Sequence, residues 1–263
     1  MNPLERSLIE KAGYDNGWEN VVGMEDDGVV LASSRHSGQV KISTLSENGL
    51  HLRLQPPVLA AELAHPSRIS HPDVVPVQPH AWQINGRPAL ASFLRTAARI
   101  AQALPDQPAR DYANELAQTL CQTLANGTEV ERLVRQRVGQ DIFRKAQLDY
   151  WGGRCAVTGL DLAEVLRASH AKPWADCQTD AERLDVFNGF LLAPDLDALF
   201  DRGFITFSGD GVLLVSPEVT AAQLASLRLS GLENLRLRWI TSNHRTYLVW
   251  HREKVFRSDL KHG

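Results

Sequence analysis

The sequence predicts an α+β protein, in which a mixed strand and helix domain is followed by a second, C-terminal domain. Runs rich in β-branched residues at 29–33 and 39–43 indicate strands near the N-terminus. Apolar residues between 90 and 104 recur at helical spacing, and short strand and turn patterns return after Cys155. We place the boundary between the two domains near residue 128, which gives domains 1–127 and 128–263.

The N-terminal domain is expected to begin with a short helix over 4–12 that ends at Gly13. Strands are expected over 17–54, with one turn at 37–38 and another at 47–49. The next segment, 56–88, is rich in proline and histidine and is predicted to be an irregular connection.

Three helices are expected next. The first covers 90–104 and stops at Pro105, and the second begins at Pro108 and ends at Asn126-Gly127. The third starts with the capping-box pattern Thr128-Glu-Val-Glu131. Beyond it, strands are predicted at 203–208, 212–216 and 246–250, with a turn at 208–211 between the first two.

Composition narrows the class of protein. The chain has 263 residues, a formal net charge of −3 and a pI near 6.3, which argues against a non-specific nucleic-acid coat but not against a local basic face. Three scattered cysteines predict no disulfide framework, and the absence of a CxxC pair argues against a zinc ribbon. No signal peptide or membrane-length apolar run is seen, so we expect a cytoplasmic protein that binds no membrane.

One stretch near the middle of the chain carries the residues that suggest chemistry. It contains the sequence motifs Arg154-Cys-Ala-Val-Thr-Gly159, Ala168-Ser-His-Ala-Lys-Pro-Trp174 and Asn188-Gly-Phe-Leu-Leu-Ala-Pro-Asp-Leu-Asp-Ala-Leu-Phe-Asp-Arg-Gly203. A neutral imidazole at His170 can take a proton from water near neutral pH. A structural histidine satisfied by a carbonyl is the alternative, and turn chemistry alone would explain an Asn188-Gly pair.

Three aspartates follow, namely Asp195, Asp197 and Asp201, in a segment with helical apolar spacing. Asp197 and Asp201 are four residues apart, so a helix places both on one face, where their charges repel unless a cation lies between them. Hard oxygen ligands suit Mg²⁺ or Mn²⁺. The alternative is a helix N-terminus, with Asp195 as its cap and Asp197 favoured by the helix dipole.

Together these sequence motifs resemble those of the HNH endonuclease family, and the resemblance covers roughly residues 130–256. The resemblance implies a ββα-metal fold and a metal-dependent endonuclease that hydrolyses phosphodiester bonds of double-stranded DNA with one Mg²⁺ or Mn²⁺. His170 would then be the general base, Asn188 would hold the loop and orient that histidine, and Asp195, Asp197 and Asp201 would be the metal candidates. Relatives often carry a histidine where this sequence has Asp195, which leaves a catalytically weakened DNA-binding or regulatory protein as the alternative.

Basic residues near these sequence motifs are candidates for contact with DNA phosphates. The alternative is that they belong to the ordinary solvated surface. They are Lys172 and Arg202, together with Arg137 and Arg144 on the basic helix at 128–149.

The resemblance also suggests a restriction-type enzyme that acts on foreign or modified DNA, with domain 1–127 in target recognition. Trp18 and Tyr14 could stack a flipped base there or belong to the core. A homodimer would allow both strands to be cut by single-site chains.

Overall fold

The computed structural model describes residues 1–258 apart from 26–27, 46–48, 66, 70, 123–127, 228–230 and 232–234. The chain divides into two compact units, Met1–Gln107 and Pro108–Gly263. The predicted helix end at Asn126-Gly127 and most of the predicted turn at 47–49 lie outside the described residues.

The first unit is built on one antiparallel sheet of six strands with the order β1-β2-β3-β4-β6-β5. The strands are β1 (Asn20–Glu25), β2 (Gly28–Ala32), β3 (Gln39–Thr44), β4 (Gly49–Gln55), β5 (Val74–Gln78) and β6 (Ala81–Asn85). Its helices are α1 (Pro3–Asp15), α2 (Pro57–Leu63) and α3 (Arg87–Ala103).

Alternation along the strands turns one face of the sheet toward the helices. Val29, Ile42 and Leu52 are buried on that face, and the Trp82 ring meets Phe93 of α3 at 5.1 Å between centroids. Trp18 is 1% exposed and its indole N–H donates to the carbonyl of Leu94. Trp18 is therefore a core residue, as the second of the two interpretations had it.

The segment 56–88 is not the irregular connection that its proline and histidine content suggested, because it contains α2, β5 and β6. Pro57 is in the first turn of α2, where a proline costs no hydrogen bond. β5 is an edge strand, so Pro76 can be tolerated within it. The prediction from composition was wrong because the first turn of a helix and an edge strand both accept proline within regular structure.

The second unit combines long helices with two short hairpins. Its helices are α4 (Asp106–Gln122), α5 (Thr128–Trp151), α6 (Asp180–Leu184), α7 (Pro194–Asp201), α8 (Ala221–Ser226) and α9 (Ser242–Lys254). Its strands are β7 (Arg167–His170), β8 (Gly189–Leu192), β9 (Ile205–Phe207) and β10 (Leu213–Val215), paired as β7 with β8 and β9 with β10.

The division between the units falls after Gln107 and not near residue 128. The reason is that α4, which the sequence pattern placed with the N-terminal part, shares a core with α5. Tyr112 and Leu116 of α4 lie in one buried cluster with Val138, Ile142 and Phe143 of α5.

The strand predicted at 246–250 is wrong, because this segment belongs to α9. Thr241 and His244 form a capping box at its start, and Leu248 and His251 are buried on one side of the helix. A short apolar run does not by itself distinguish a strand from a buried helix. None of the described helices is long and apolar enough to cross a membrane.

Candidate active site

The second unit contains the predicted ββα arrangement. β7 and β8 pair antiparallel, with His170 opposite Gly189, and α7 begins two residues after β8 ends. The Ser169 hydroxyl on β7 donates a hydrogen bond to the carboxylate of Asp197 on α7. The helix that carries the aspartates is thus fixed against the strand that carries His170.

The His170 ring is held by three neighbours. Its Nε2 lies 2.9 Å from the carbonyl oxygen of Arg183. Its plane stacks on Phe143 of α5 at 3.7 Å between centroids and 17° between planes, and the Trp174 ring approaches it edge-on at 6.0 Å. The orientation of the imidazole is therefore set by the surrounding side chains and backbone.

These neighbours also set the protonation of His170. Burial lowers its pKa to about 4, and the hydrogen bond to Arg183 opposes this shift only in part. A carbonyl only accepts, so Nε2 must carry the hydrogen in the neutral ring. The remaining lone pair then belongs to Nδ1, which is the nitrogen able to accept a proton.

Asn188 fastens the loop that follows β7. Its Oδ1 accepts from the backbone N–H of Lys172 at 2.8 Å. Its Nδ2 lies within hydrogen-bonding distance of Lys172 O, Cys177 Sγ and Glu182 O, at 3.2, 3.3 and 3.1 Å. The side chain is fully buried, so Asn188 joins residues 172–182 to the start of β8.

Arg183 is a site residue that sequence reasoning missed. Its carbonyl holds His170, while its guanidinium donates to the carbonyls of Trp174 and Cys177 at 3.2 and 2.5 Å. No sequence signal could have identified the first role, because every residue has a backbone carbonyl.

The three aspartates do not share one environment. Asp197 and Asp201 are one turn apart on α7, and burial together with the charge of Asp197 raises the pKa of Asp201 to about 6. Asp195 is exposed and lies about 200° around the helix from Asp197 at 100° per residue. It is not the helix cap either, because the N-cap is Ala193.

The structure brings the aspartates close to β7 without assembling a cluster around His170. Within the described ranges, no group of three or more His, Cys, Asp or Glu side chains is placed to hold a metal ion. Ser169 turns toward α7 and His170 toward α5, as alternation along a strand requires. Their Cα atoms are nevertheless only about 3.8 Å apart.

Two of the four residues predicted to contact DNA phosphates have side chains that bind other residues of the protein. Lys172 pairs with Glu182 at 2.5 Å. Arg144 donates to the carbonyls of Leu166 and Ala163, and so fastens the segment before β7. Arg137 and Arg202 are exposed.

Two further contacts support the loop from α5 and α9. A Cβ at Gly139 would lie 2.1 Å from Cη2 of Trp174, so only glycine lets this ring pack on α5. The Tyr247 hydroxyl of α9 donates to Asp185 at 2.8 Å. Asp185 also accepts from the backbone N–H of Phe187, and thereby shapes the turn before Asn188.

Comparison with known families agrees with this arrangement. Residues 155–208 match a family model described as HNH endonuclease. These residues are similar to HNH endonucleases, and we call them the HNH segment. The HNH segment contains His170, Asn188 and the three aspartates, whereas Phe143 and Tyr247 lie outside it.

The match agrees with the resemblance to HNH endonucleases predicted for the C-terminal half, and it suggests a nuclease or DNA-binding function. No curated protein matches the sequence.

Proposed function

We propose that this protein is a metal-dependent endonuclease that hydrolyses phosphodiester bonds of double-stranded DNA. The observation that carries the proposal is the His170 ring, held between Phe143 and the Arg183 carbonyl on the ββα unit. A ring fixed in one tautomer and kept neutral is suited to take a proton from water.

In this proposal Nδ1 of His170 accepts the proton of the attacking water. The imidazolium that forms keeps its Nε2–H on the Arg183 carbonyl, and that contact stabilises its positive charge. A pKa of about 4 makes the ring a weak base in the free protein. An anionic phosphate nearby favours the protonated ring and raises this pKa during the reaction.

The carboxylates of α7 fit a hard divalent cation. Burial and, after it, the like charge of Asp197 raise the pKa of Asp201, and a cation bound between the two carboxylates would relieve their repulsion. Mg²⁺ commonly takes only one or two carboxylates and fills its other positions with water and phosphate. Asp197 and Asp201 would hold the ion, and when bound it would supply positive charge to the phosphate and the leaving oxygen. Asp195 as a third ligand stays a prediction.

In this proposal the phosphate binds at the end of β7, where the general base and the carboxylates lie on opposite faces of the strand. His170 and the residue bonded to Asp197 are consecutive, so the base and the carboxylates attach to neighbouring points of one strand. Arg202 and Arg137 are exposed and are the better candidates for DNA phosphates. Lys172 and Arg144 are proposed to act mainly as supports, because their donors already contact the protein.

The wider setting is part of the proposal and rests on family resemblance. We propose a restriction-type enzyme of the cytoplasm that acts on foreign or modified DNA. Cleavage of both strands by a chain with one site favours a homodimer.

A second candidate is a DNA-binding or regulatory protein without cleavage activity. It is favoured by the finding that the described residues hold no assembled group of three metal ligands. It is also favoured by the aspartate at 195, where relatives often carry histidine.

Plasmid cleavage with Mg²⁺ or Mn²⁺ separates the two candidates. We expect wild type to cut, EDTA to stop it, and His170→Ala to lose at least about 100-fold in rate, the lower end of general-base contributions. His71→Ala, a substitution in the first unit, is the matched control and should cut normally. DNA binding without cleavage by wild type would favour the second candidate. Equal rates of cleavage by wild type and His170→Ala would show that His170 is not the general base.

A further inference from the structure

The last turn of α7 is held from outside the helix, by one residue of α9 and one residue just beyond it. The His251 ring of α9 has its Nε2 3.1 Å from the carbonyl oxygen of Phe200. The Arg257 guanidinium, three residues after α9 ends, donates from Nε to the carbonyl oxygen of Arg202 at 2.9 Å. Asp201 lies between Phe200 and Arg202, so the carbonyls of both its neighbours are held. We call these two contacts the Asp201 clamp.

His251 is built into the core beside α7. It is 1% exposed, and its ring lies flat on Phe200 with 3.9 Å between centroids and 2° between planes. Because a carbonyl only accepts, Nε2 carries a hydrogen, and in the neutral ring Nδ1 accepts from the Thr206 hydroxyl at 2.9 Å. The Phe200 carbonyl also accepts from the backbone N–H of Gly203 at 2.9 Å. The imidazole therefore has one fixed orientation against the end of the helix.

The Arg257 contact is reinforced by its surroundings. The backbone N–H of Arg257 donates to the carbonyl of Gly203 at 3.0 Å, and its guanidinium lies 4.3 Å from the centroid of the Phe204 ring. A Cβ at Gly203 would lie 2.1 Å from the carbonyl oxygen of Val255, so only glycine lets the segment after α9 approach α7 this closely. The ion pair of Arg257 with Glu218 is partly exposed on both sides and adds little by itself.

The Asp201 clamp matters because α7 is short. The helix has eight residues, its last four carbonyls have no partner within the helix, and helix ends fray. The carboxylate of Asp197 is fixed by the Ser169 hydroxyl, whereas Asp201 is the final residue of the helix. Fraying of the last turn would move the Asp201 carboxylate relative to that of Asp197. The distance between the two proposed metal ligands therefore depends on the clamp.

We propose that His251 and Arg257 are positioning residues that hold Asp201 in place for the divalent cation of α7. The inference rests on the proposed function, because it takes Asp197 and Asp201 as the ligands of that cation. Both positioning residues lie outside the HNH segment, and each acts through the backbone of α7 without touching the ion. Outer residues that orient metal ligands commonly contribute about 10–100-fold to metal affinity.

Mn²⁺ binding to the full chain tests this inference. The affinity is measured without DNA, from the electron paramagnetic resonance signal of the free ion. We expect Arg257→Ala to weaken Mn²⁺ binding at least about tenfold, the lower end of such contributions. Arg257→Lys keeps the positive charge and a donor, and should restore most of the affinity. His251→Leu fills much of the same space without a donor for the Phe200 carbonyl, and should also weaken binding.

Two controls keep the test specific. Arg245→Ala removes another exposed arginine, one that belongs to α9, and should leave Mn²⁺ affinity unchanged. Circular dichroism at the temperature of the binding assay shows whether each variant is folded. If the buried substitution His251→Leu unfolds the protein, Arg257→Ala decides, because the Arg257 side chain is 44% exposed and its loss leaves no core cavity.

Asp201→Asn, measured in the same way, separates failure of this inference from failure of the proposed function. If Asp201→Asn weakens Mn²⁺ binding and Arg257→Ala does not, only the inference is overturned. A loss of affinity in Arg257→Ala that Arg257→Lys does not restore would overturn it as well. Mn²⁺ affinity that is unchanged by Asp201→Asn would refute the metal site of the proposed function, and the positioning role with it.

Discussion

The ring of Phe143 lies almost parallel to the ring of His170, with 3.7 Å between their centroids. Phe143 is 1% exposed and belongs to the cluster that joins α4 to α5. The proposed base is thus supported on one side by an apolar wall. That wall keeps water away from the imidazole and disfavours its charged form.

Removal of this wall should change the pKa of His170. We expect Phe143→Ala to raise it from about 4 toward its ordinary value of 6.5, and to cost about 3–5 kcal/mol of unfolding free energy. Phe143→Leu, which keeps the site apolar, should shift the pKa less. NMR titration of the His170 ring and urea unfolding measure the two effects, and an unaltered titration in Phe143→Ala would contradict the account.

The same histidine should make stability depend on pH in a definite direction. Its pKa is about 4 when folded and about 6.5 when unfolded, so both states are neutral above pH 6.5 and the contribution is complete there. As the pH falls from 6.5 to 4, only the unfolded state gains the proton. Stability should therefore fall by roughly 3 kcal/mol in total, at 1.36 kcal/mol per pH unit.

Comparison with His170→Gln isolates this contribution from that of other histidines. Glutamine keeps a donor for the Arg183 carbonyl but does not titrate. Urea unfolding at pH 7 and pH 4.5 should show a smaller difference for the variant than for wild type. Equal pH dependence in both proteins would mean that His170 is not the group responsible.

Gly139 should not tolerate a side chain. We expect Gly139→Ala to displace the Trp174 ring and to cost about 1–3 kcal/mol, because the added methyl group overlaps that ring. Gly209→Ala is a suitable control, since its Cβ would meet nothing within 4 Å. Thermal unfolding measures both, and in a Trp174→Ala background the cost of Gly139→Ala should largely disappear.

The bond between Tyr247 and Asp185 should stabilise the turn before Asn188. Tyr247→Phe leaves the Asp185 carboxylate without this donor, which should cost about 1–3 kcal/mol. Since the turn directly follows α6, which carries the Arg183 carbonyl, we expect a broadened or shifted His170 ring signal in the variant. Tyr14→Phe, at a residue 69% exposed in the first unit, should change neither quantity.

Much of the scaffold could be predicted from local patterns. Buried and less buried residues largely alternate along the strands that contain Val29 and Ile42, and the turn at 208–211 joins β9 to β10 as its glycines indicated. The spacing of Asp197 and Asp201 predicted a shared helix side, and both lie on α7. In each of these cases the structural signal lies within a few neighbouring residues.

The errors and omissions share a different cause. The strand predicted at 246–250 failed because a short apolar run fits either a strand or a buried helix, and only packing decided the outcome. The domain boundary failed because the contacts of α4 with α5 are not visible in sequence spacing. The periodicity of apolar residues could place Phe143 in a core, but it could not predict that Phe143 would stack on the His170 ring.

The family match begins at residue 155, yet the stacking partner of His170 is at 143 and the brace on Asp185 is at 247. A fragment trimmed to the matched residues would keep every residue of the family motif. It would lose the contacts that orient the His170 imidazole. The smallest piece able to work should therefore extend from α4 through α9. Homologues that vary at these outlying positions would be expected to differ in reactivity even with identical signature residues.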